Sequence, residues 1–312
     1  MKILLTGASG LVGSAFAVAA QRRGHEVVGV VGRFAGELAG LTRKLTIDLS
    51  DEASVTRMLL DESPAAIVNC AAISEPAACD ANPVLAEALN VRLPTALARA
   101  AHHLSARLVH ISSEQVFDGT QTTPYKPDDP PSPINLYGRQ KLASERAVRA
   151  AAPSFGSIVR APLLMGDSPG GRRGLHERLL ADWAAGGTAR LYTDEFRQPC
   201  TAENLADVLL ELAERQDEAG IFPWAGTELV SRYDLGCRVR EQFKLNPRIA
   251  PITAVTRAET PGVAAQRQAC LALDLAPLAG RLKTAPQSVA VQLATLKVPP
   301  PCRAWYRSLP SN

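Results

Sequence analysis

Several patterns that mark specialised proteins are missing from this chain of 312 residues. Its six cysteines are scattered without a C-x-x-C pair, which excludes the usual zinc and small disulfide frameworks. No apolar run approaches the ~18 residues that cross a bilayer. The formal net charge is only +3, with no Lys/Arg block suited to nucleic acid. Without a signal-like start, we expect a cytoplasmic protein with no metal, no membrane and no nucleic-acid partner.

What the chain does have is an alternation of short β-branched runs and helix-like segments. Strand-like runs at residues 3–5, 26–31 and 107–111 alternate with helical patterns. Predicted helices cover residues 11–23, 84–102 and 136–150. Such alternation predicts parallel strands joined by right-handed crossovers. The expected fold class is α/β, a doubly wound Rossmann-type sheet with a smaller, partly helical C-terminal substrate lobe. Ligands of such sheets bind beyond the carboxyl ends of the strands.

The regular alternation of predicted strands and helices ends near residue 165. We assign residues 1–165, with returning segments near 197–222, to a cofactor-binding domain. Residues 166–196 and 223–298 form the predicted substrate lobe, and the proline-rich residues 299–312 an irregular tail. Five prolines between residues 118 and 133 exclude a helix or a central strand there. That segment is predicted to be a long ordered loop.

A glycine-rich turn follows the first predicted strand and opens a helix. Its G-x-x-G-x-x-G spacing suits a dinucleotide pyrophosphate, with one glycine for the tight turn, one for close approach and one for helix packing. The helix N-terminus would add its positive end. An ordinary glycine turn is the alternative. The residues expected to bind a cofactor here are Gly7, Ser9, Gly10, Leu11, Val12 and Gly13.

The end of the second predicted strand bears on which nicotinamide cofactor binds. A site that prefers NAD places Asp or Glu here, whereas this chain has Gly32 and Arg33. A guanidinium suits a 2′-phosphate, so we predict NADP(H), with an exposed loop arginine as the alternative. Asp48, after the third strand, either accepts from the adenine amine or caps the next helix.

Three further residues predict a proton-transfer centre. Tyr137 and Lys141 stand at i and i+4 on a predicted helix, so they share one face. The lysine ammonium would lower the pKa of the tyrosine and could hold the nicotinamide ribose. A serine hydroxyl of Ser112 or Ser113, at the end of the fifth strand, could hydrogen-bond a substrate carbonyl. Alone, each is a common surface or turn residue, but the ordered set predicts a reductase.

These motifs carry a family resemblance. The matching stretches are residues 110–119, 135–141, 69–72, 197–199 and 220–226, together with Arg160. With them the chain resembles the extended short-chain dehydrogenases. In particular, it is similar to the dTDP-4-dehydrorhamnose reductase family, which includes the regulatory β subunit of methionine adenosyltransferase.

The resemblance implies an NADPH-dependent oxidoreductase of dTDP-rhamnose biosynthesis, which reduces the 4-keto group of a deoxysugar nucleotide. Ser113, Tyr137 and Lys141 would form its catalytic triad, with Tyr137 as the proton donor. Beyond the glycine turn, the implied cofactor contacts are Gly32, Arg33, Asp48, Leu49, Cys70, Ala71, Ala72, Tyr137, Lys141, Pro162 and Leu164. The implied substrate contacts are Ser74, Glu114 and Gln115.

The substrate side departs from that family. Ser113, Glu114 and Gln115 stand where the reductases usually have Thr, Asp and Tyr, and the tryptophan expected after Arg160 is missing. Three stretches are closer to the β-subunit relatives, namely residues 112–113, 135–138 and 160–166. Two alternatives to the reductase therefore stay open. One is a regulatory subunit with a synthetase-like partner. The other is a sugar-nucleotide epimerase, which needs tightly held NAD and which Arg33 argues against. The expected ligand is a nucleotide sugar, and the expected assembly is a homodimer or a complex with that partner.

Overall fold

The computed structural model describes residues 1–215, 217–260, 262 and 265–310. Its centre is a seven-stranded parallel sheet in the order β11-β6-β5-β4-β1-β2-β3. This order confirms the predicted doubly wound sheet and puts the switch point between β1 and β4. The strands are β1 Lys2–Thr6, β2 Glu26–Val31, β3 Arg43–Thr46, β4 Ala66–Asn69, β5 Arg107–Ser113, β6 Gly156–Ala161 and β11 Gly220–Pro223.

Helices cover both faces of this sheet. On one face lie α1 Leu11–Arg22 and α8 Ala202–Glu214, and on the other α2 Glu52–Glu62, α5 Leu93–Leu104 and α6 Leu136–Ala151. Because both faces are buried, the central strands are continuously apolar rather than alternating. Ile3, Leu4 and Leu5 are each fully buried.

The long helix predicted over residues 84–102 is divided in the structure. After α3 Pro76–Ala81, it consists of α4 Pro83–Glu87, a π-helical turn Ala88–Arg92, and α5. Pro94 has no N–H to give to the carbonyl of Asn90, so the regular bonding ladder is interrupted at this point. The prediction of a single helix was therefore wrong.

The second lobe is built from short elements around a core of its own, which includes Leu180, Trp183 and Val239. Its helices are α7 Leu175–Ala184, α9 Arg232–Gln242 and α10 Val289–Thr295. Its strands are β7 Leu164–Met165, β8 Ala189–Tyr192, β9 Phe196–Arg197, β10 Cys200–Thr201, β12 Val230–Ser231, β13 Ile252–Val255 and β14 Cys270–Leu271. Most are two residues long, which is too short for a periodic pattern to reveal.

The tail is more ordered than the sequence predicts. The irregular structure expected over residues 299–312 is wrong for residues 300–308, which form a 3₁₀ turn Pro300–Cys302 and helix α11 Arg303–Ser308. Proline is tolerated in a first turn, and the aromatic side chains that follow pack on the lobe core. Residues 311 and 312 of this prediction lie outside the described residues. Across the described ranges, none of the helices is both long and apolar enough to cross a membrane.

Candidate active site

The glycine turn is pressed against the end of β4. Gly7 has a φ of +67°, and a Cβ there would lie 2.7 Å from the backbone N of Ala71. A Cβ on Gly13 would lie 2.2 Å from the Gly7 carbonyl oxygen. Helix α1 is capped by Gly10 without a side-chain bond, and its first turn contains no acid. A side chain at Gly7 or Gly13 would therefore collide with backbone, so these glycines keep the turn tight and close to the sheet. The turn, with Ser9, Leu11 and Val12, leads into a helix N-terminus that fits an anionic pyrophosphate.

Arg33 and Asp48 lie just beyond the ends of β2 and β3. The charge of Arg33 contributes to a lowered pKa of Asp48, although two hydrogen bonds from Ser50 are the larger cause. Asp48 accepts from the Ser50 amide at 2.9 Å, whereas the N-cap of α2 is Asp51. The helix-cap alternative for Asp48 is therefore wrong. Gly32 is open on its Cβ side, and Leu49 lines a small notch beside α5.

Cys70, Ala71 and Ala72 follow β4 directly, beside the glycine turn. Burial raises the pKa of the Cys70 thiol to about 12, so this cysteine acts as a small apolar group. Asn69 stabilises the strand end, since its Oδ1 accepts from Thr6 at 2.6 Å and from the Ala71 amide at 3.2 Å. Pro162 and Leu164 follow β6, with Pro162 buried and Leu164 half-buried.

The structure brings Ser113 and Tyr137 together. Ser113 is the last residue of β5, and Tyr137 lies in the first turn of α6. Burial raises the pKa of Tyr137 above its ordinary value, while a hydrogen bond from Ser113 lowers it by less. The sequence predicts that Lys141 lowers this pKa, but in the structure Ser113 does. The phenol is therefore protonated at neutral pH, as a proton donor must be.

Lys141 is buried one turn further along α6. Burial lowers the pKa of its ammonium to about 8, and the negative charge of Glu145 acts in the opposite direction. Among the described residues, none forms a hydrogen bond or an ion pair with the ammonium. Cys70 is among the groups that influence its pKa. Lys141 thus lies near Cys70, at the strand end expected to hold the nicotinamide.

The predicted substrate residues have different surroundings. Burial raises the pKa of Glu114 to about 8, and Arg197 lowers it. One carboxylate oxygen of Glu114 lies 3.3 Å from Nε of Arg197, and the other is buried without a partner. Gln115 accepts from Nδ2 of Asn135 at 3.0 Å, so its side-chain oxygen already serves the cap of α6. Ser74 is exposed.

The sequence did not predict that charged residues would gather next to Glu114. These residues are Glu195, Arg197, Arg232 and Arg267. The Glu195 carboxylate receives two bonds from Arg267, at 2.5 and 2.8 Å, and lies 3.3 Å from Arg197. Arg232 lies farther away, at 3.8 Å. Burial lowers the pKa of Arg232 to about 10. The cluster carries more positive than negative charge beside the predicted substrate position.

The sequence also did not predict a role for Asn90, which lies on the π-helical turn. Its Oδ1 accepts from the Ile73 amide at 2.9 Å, and its Nδ2 donates to the Ile73 carbonyl at 3.0 Å and to Gln140 at 2.9 Å. Asn90 therefore ties the loop after β4 to the helix of Tyr137. No sequence signal marks it, because nothing in a helical pattern predicts a π turn.

A cluster of Asp167, His176 and Glu177 resembles a metal site in composition. Glu177, however, accepts from the Ser168 amide at 2.7 Å and from the Arg173 and Gly174 amides at 2.8 and 2.7 Å. His176 Nε2 lies 3.2 Å from the Lys297 carbonyl oxygen. These bonds account for the cluster as a support for the loop before α7.

The chain is also similar in sequence to known proteins. The family model of the RmlD substrate binding domain matches residues 1–296. The chain is 33% identical to methionine adenosyltransferase 2 subunit beta of Xenopus laevis, over 83% of this chain and 78% of that protein. It is 30% identical to a probable low-salt glycan biosynthesis reductase of Haloferax volcanii, over 95% of this chain and 97% of that one.

A solved structure is similar over nearly the whole chain. The dTDP-4-dehydrorhamnose reductase of Clostridium acetobutylicum matches with a TM-score of 0.80 at 25% identity, covering 94% of this chain and 97% of its own. A dTDP-4-dehydrorhamnose reductase of Bacillus anthracis, solved in complex with NADP, has the same fold, with a TM-score of 0.79 at 19% identity and coverage of 94% and 97%.

Proposed function

Because the chain belongs to the RmlD substrate binding domain family, we propose that it is an NADPH-dependent reductase of a 4-keto-deoxysugar nucleotide. The observation that carries this proposal is the buried contact between Ser113 and Tyr137, with Lys141 one turn away. The glycine turn beside it supports a dinucleotide, and Arg33 supports a 2′-phosphate. The relatives named as reductases agree with this chemistry.

The roles of the side chains follow from their surroundings. When bound, NADPH supplies a hydride to the carbonyl carbon. The Ser113 hydroxyl donates a hydrogen bond to the carbonyl oxygen and polarises it. Tyr137 gives its proton to that oxygen as negative charge develops there. The Lys141 ammonium, which can only donate hydrogen bonds, binds the ribose hydroxyls of the cofactor.

The test measures NADPH oxidation by the purified protein with a dTDP-4-keto-6-deoxy sugar. We expect Tyr137→Phe to lower kcat by about 10²- to 10⁴-fold, since it removes the proton donor. Tyr233→Phe is the matched control, because Tyr233 lies on α9 in the second lobe. Full activity in Tyr137→Phe would show that the proposed mechanism is wrong. If the wild type does not oxidise NADPH with this sugar, 4-keto-deoxysugar nucleotides are not its substrates.

A second candidate function is that of a cofactor-binding regulatory subunit. It is favoured by the relatives named methionine adenosyltransferase 2 subunit beta and by Gln115, whose side-chain oxygen is held by Asn135 rather than free for a sugar. Mixing with a methionine adenosyltransferase catalytic subunit, followed by size-exclusion chromatography, tests it. A complex of fixed stoichiometry supports this candidate, and separate elution at micromolar concentrations contradicts it.

A further inference from the structure

The helix that carries Tyr137 and Lys141 has a third buried polar residue on the same side. Glu145 lies four residues after Lys141 and is 1% exposed, while Lys141 is 2% exposed. Residues at i and i+4 of a helix are neighbours on one face. A buried ammonium needs an opposite charge close by, and Glu145 is the carboxylate that acts on Lys141.

Glu145, on helix α6, is hydrogen-bonded by residues of two strands. Arg160, on β6, donates from Nε at 3.0 Å and from Nη2 at 2.8 Å to the two oxygens of the Glu145 carboxylate. The hydroxyl of Ser112, on β5, donates to the same carboxylate. Ser112 directly precedes Ser113, so the carboxylate fixes the Tyr137 helix relative to the strand that ends in Ser113.

Arg160 extends this arrangement to the proline-rich loop. Its Nη1 donates to the Pro127 carbonyl at 2.9 Å, and its guanidinium lies 4.9 Å from the centre of the Phe117 ring. Arg160 is 2% exposed. Since Glu145, Arg160 and Ser112 are all buried, removing one of the two charges would leave the other uncompensated in the protein interior.

We propose that Glu145, held by Arg160 and Ser112, is a positioning residue of the proton-transfer centre. Its carboxylate is the counter-charge of the Lys141 ammonium, and its hydrogen bonds fix α6 against the end of β5. This inference rests on the proposed function, because it assigns Lys141 the task of binding the cofactor ribose as a cation.

The other groups around Lys141 do not replace this charge. The thiols of Cys70 and Cys79 both have pKa values raised by burial, so they are uncharged at neutral pH. The pKa of His110 is lowered well below its ordinary value, first by burial and then by Lys141 itself, so the imidazole is neutral. Tyr137 is a neutral phenol. Glu145 is therefore the anion that these surroundings offer.

The experiment measures the Kd for NADPH by fluorescence titration between pH 6 and pH 10. Wild-type affinity is expected to fall at high pH, as Lys141 loses its proton. Glu145→Gln removes the counter-charge while keeping the side-chain length, so we expect this fall to begin about one pH unit lower. Glu145→Asp keeps the charge, and its profile should stay near that of the wild type.

Two further variants make the test specific. Glu62→Gln removes another buried carboxylate, which lies at the end of α2 and pairs with Lys2 on β1 and Arg43 on β3. Glu62 is not among the groups that act on Lys141. Its profile is expected to overlay that of the wild type. Arg160→Gln leaves the full charge of Glu145 to act on Lys141, so its profile should move to higher pH. This opposite shift tests the inference even if Glu145→Gln does not fold.

The outcomes separate the two proposals. If Glu145→Gln overlays the wild type, or Arg160→Gln moves the profile downward or not at all, Glu145 is not the counter-charge and the inference is wrong. If the wild type binds NADPH with the expected profile but reduces no keto-sugar nucleotide, only the proposed substrate is lost. If it binds no NADPH at any pH, both fall together.

Discussion

At the residue scale, we predict that the Arg33 guanidinium determines which nicotinamide cofactor binds. It is exposed beyond β2 and close enough to Asp48 to influence the pKa of that carboxyl. A hydrogen bond between charged groups contributes about 1.5–3 kcal/mol. Arg33→Ser is therefore expected to weaken NADPH binding by about 10- to 100-fold and to leave NADH affinity nearly unchanged. Fluorescence titration with both cofactors measures this.

The control for that prediction is Arg57→Ser. Arg57 is an exposed arginine on α2, so its loss tests whether a general decrease in positive charge is enough. Equal weakening of NADPH binding in both variants, or equal weakening of NADPH and NADH in Arg33→Ser, would contradict a specific contact with the 2′-phosphate.

A second residue-scale prediction concerns Glu114 and pH. Burial raises its pKa to about 8 in the folded protein, from 4.5 ordinarily. Between these values the folded state holds a proton that the unfolded state has lost, so the contribution of Glu114 to stability falls as pH rises. Glu114→Gln stays neutral throughout. Its free energy of unfolding, relative to wild type, should therefore increase from pH 5 to pH 8 in urea titrations. A constant difference would mean that Glu114 is ionised at both pH values.

What the sequence could reveal about single residues depended on the distance along the chain to their partners. The glycine turn was predictable because its three glycines stand within seven residues and act through the backbone. The hydrogen bond that Gln115 accepts from Asn135 was not predictable, since Asn135 lies 20 residues away. The bond between Arg267 and Glu195 spans 72 residues, and no local pattern indicates it.

At the element scale, the start of α6 fixes Tyr137 in place. Asn135 accepts from the Gly138 amide at 2.8 Å and donates to Gln115 and to the Gln266 carbonyl. Asn135→Ala removes the cap and two further bonds, so we expect a loss of about 1–3 kcal/mol in stability. We also expect a fall in kcat that exceeds any change in KM, because Tyr137 stands in the loosened turn. Chemical denaturation and steady-state kinetics measure the two effects.

Ser288→Ala is the matched control for this cap. Ser288 caps α10 in the second lobe by accepting from the Val291 amide at 3.4 Å. It should lower stability without changing kcat. If Asn135→Ala lost stability but kept full kcat, the cap would be structural only and would not help to position Tyr137.

Helices were easier to predict than strands in this chain. The predicted span of α6, residues 136–150, is one residue shorter than the observed helix Leu136–Ala151, because its apolar period and its Asn cap agree. The strands of the second lobe were missed because pairs such as Leu164–Met165 gain their bonding from distant partners, here Cys200–Thr201. The π turn was missed because its cause, Pro94, lies outside the turn itself.

At the scale of the whole molecule, the tail supports the loop before α7. Cys302 is buried, and Tyr306 donates to the Phe243 carbonyl at 2.9 Å. Gly171 packs so closely on Pro299–Pro301 that a Cβ there would lie 2.9 Å from Pro301 Cδ. Deletion of residues 299–312 should therefore speed tryptic cleavage at the exposed Arg172 and Arg173 several-fold, as followed by mass spectrometry.

Cleavage at Arg23 is the internal reference for that experiment, since this exposed arginine lies in the turn after α1, away from the tail. If the deletion accelerated cleavage at all three arginines alike, the tail would stabilise the protein as a whole. Unchanged cleavage at Arg172 and Arg173 would mean that the loop is held by Glu177 alone.

The fold was predictable where strands and helices alternate regularly along the sequence. Alternating strands and helices over the first half left few arrangements other than a doubly wound sheet, and the site residues follow the ends of β1, β2, β4 and β5. The division into residues 1–165 and a second lobe remains a prediction. The layout of the second lobe was beyond the sequence, because its short strands pair across long separations.

The place of β11 in the sheet has a consequence for how the protein is made. β11 pairs with β6, although 58 residues separate Ala161 from Gly220, and α8 lies on the sheet face beside α1. On a translating ribosome, the first six strands would emerge long before either element. The nascent chain would then expose an open strand edge and an uncovered apolar face, which are features that favour aggregation and chaperone binding. The vulnerable stage of biosynthesis would end only when residue 223 has left the exit tunnel.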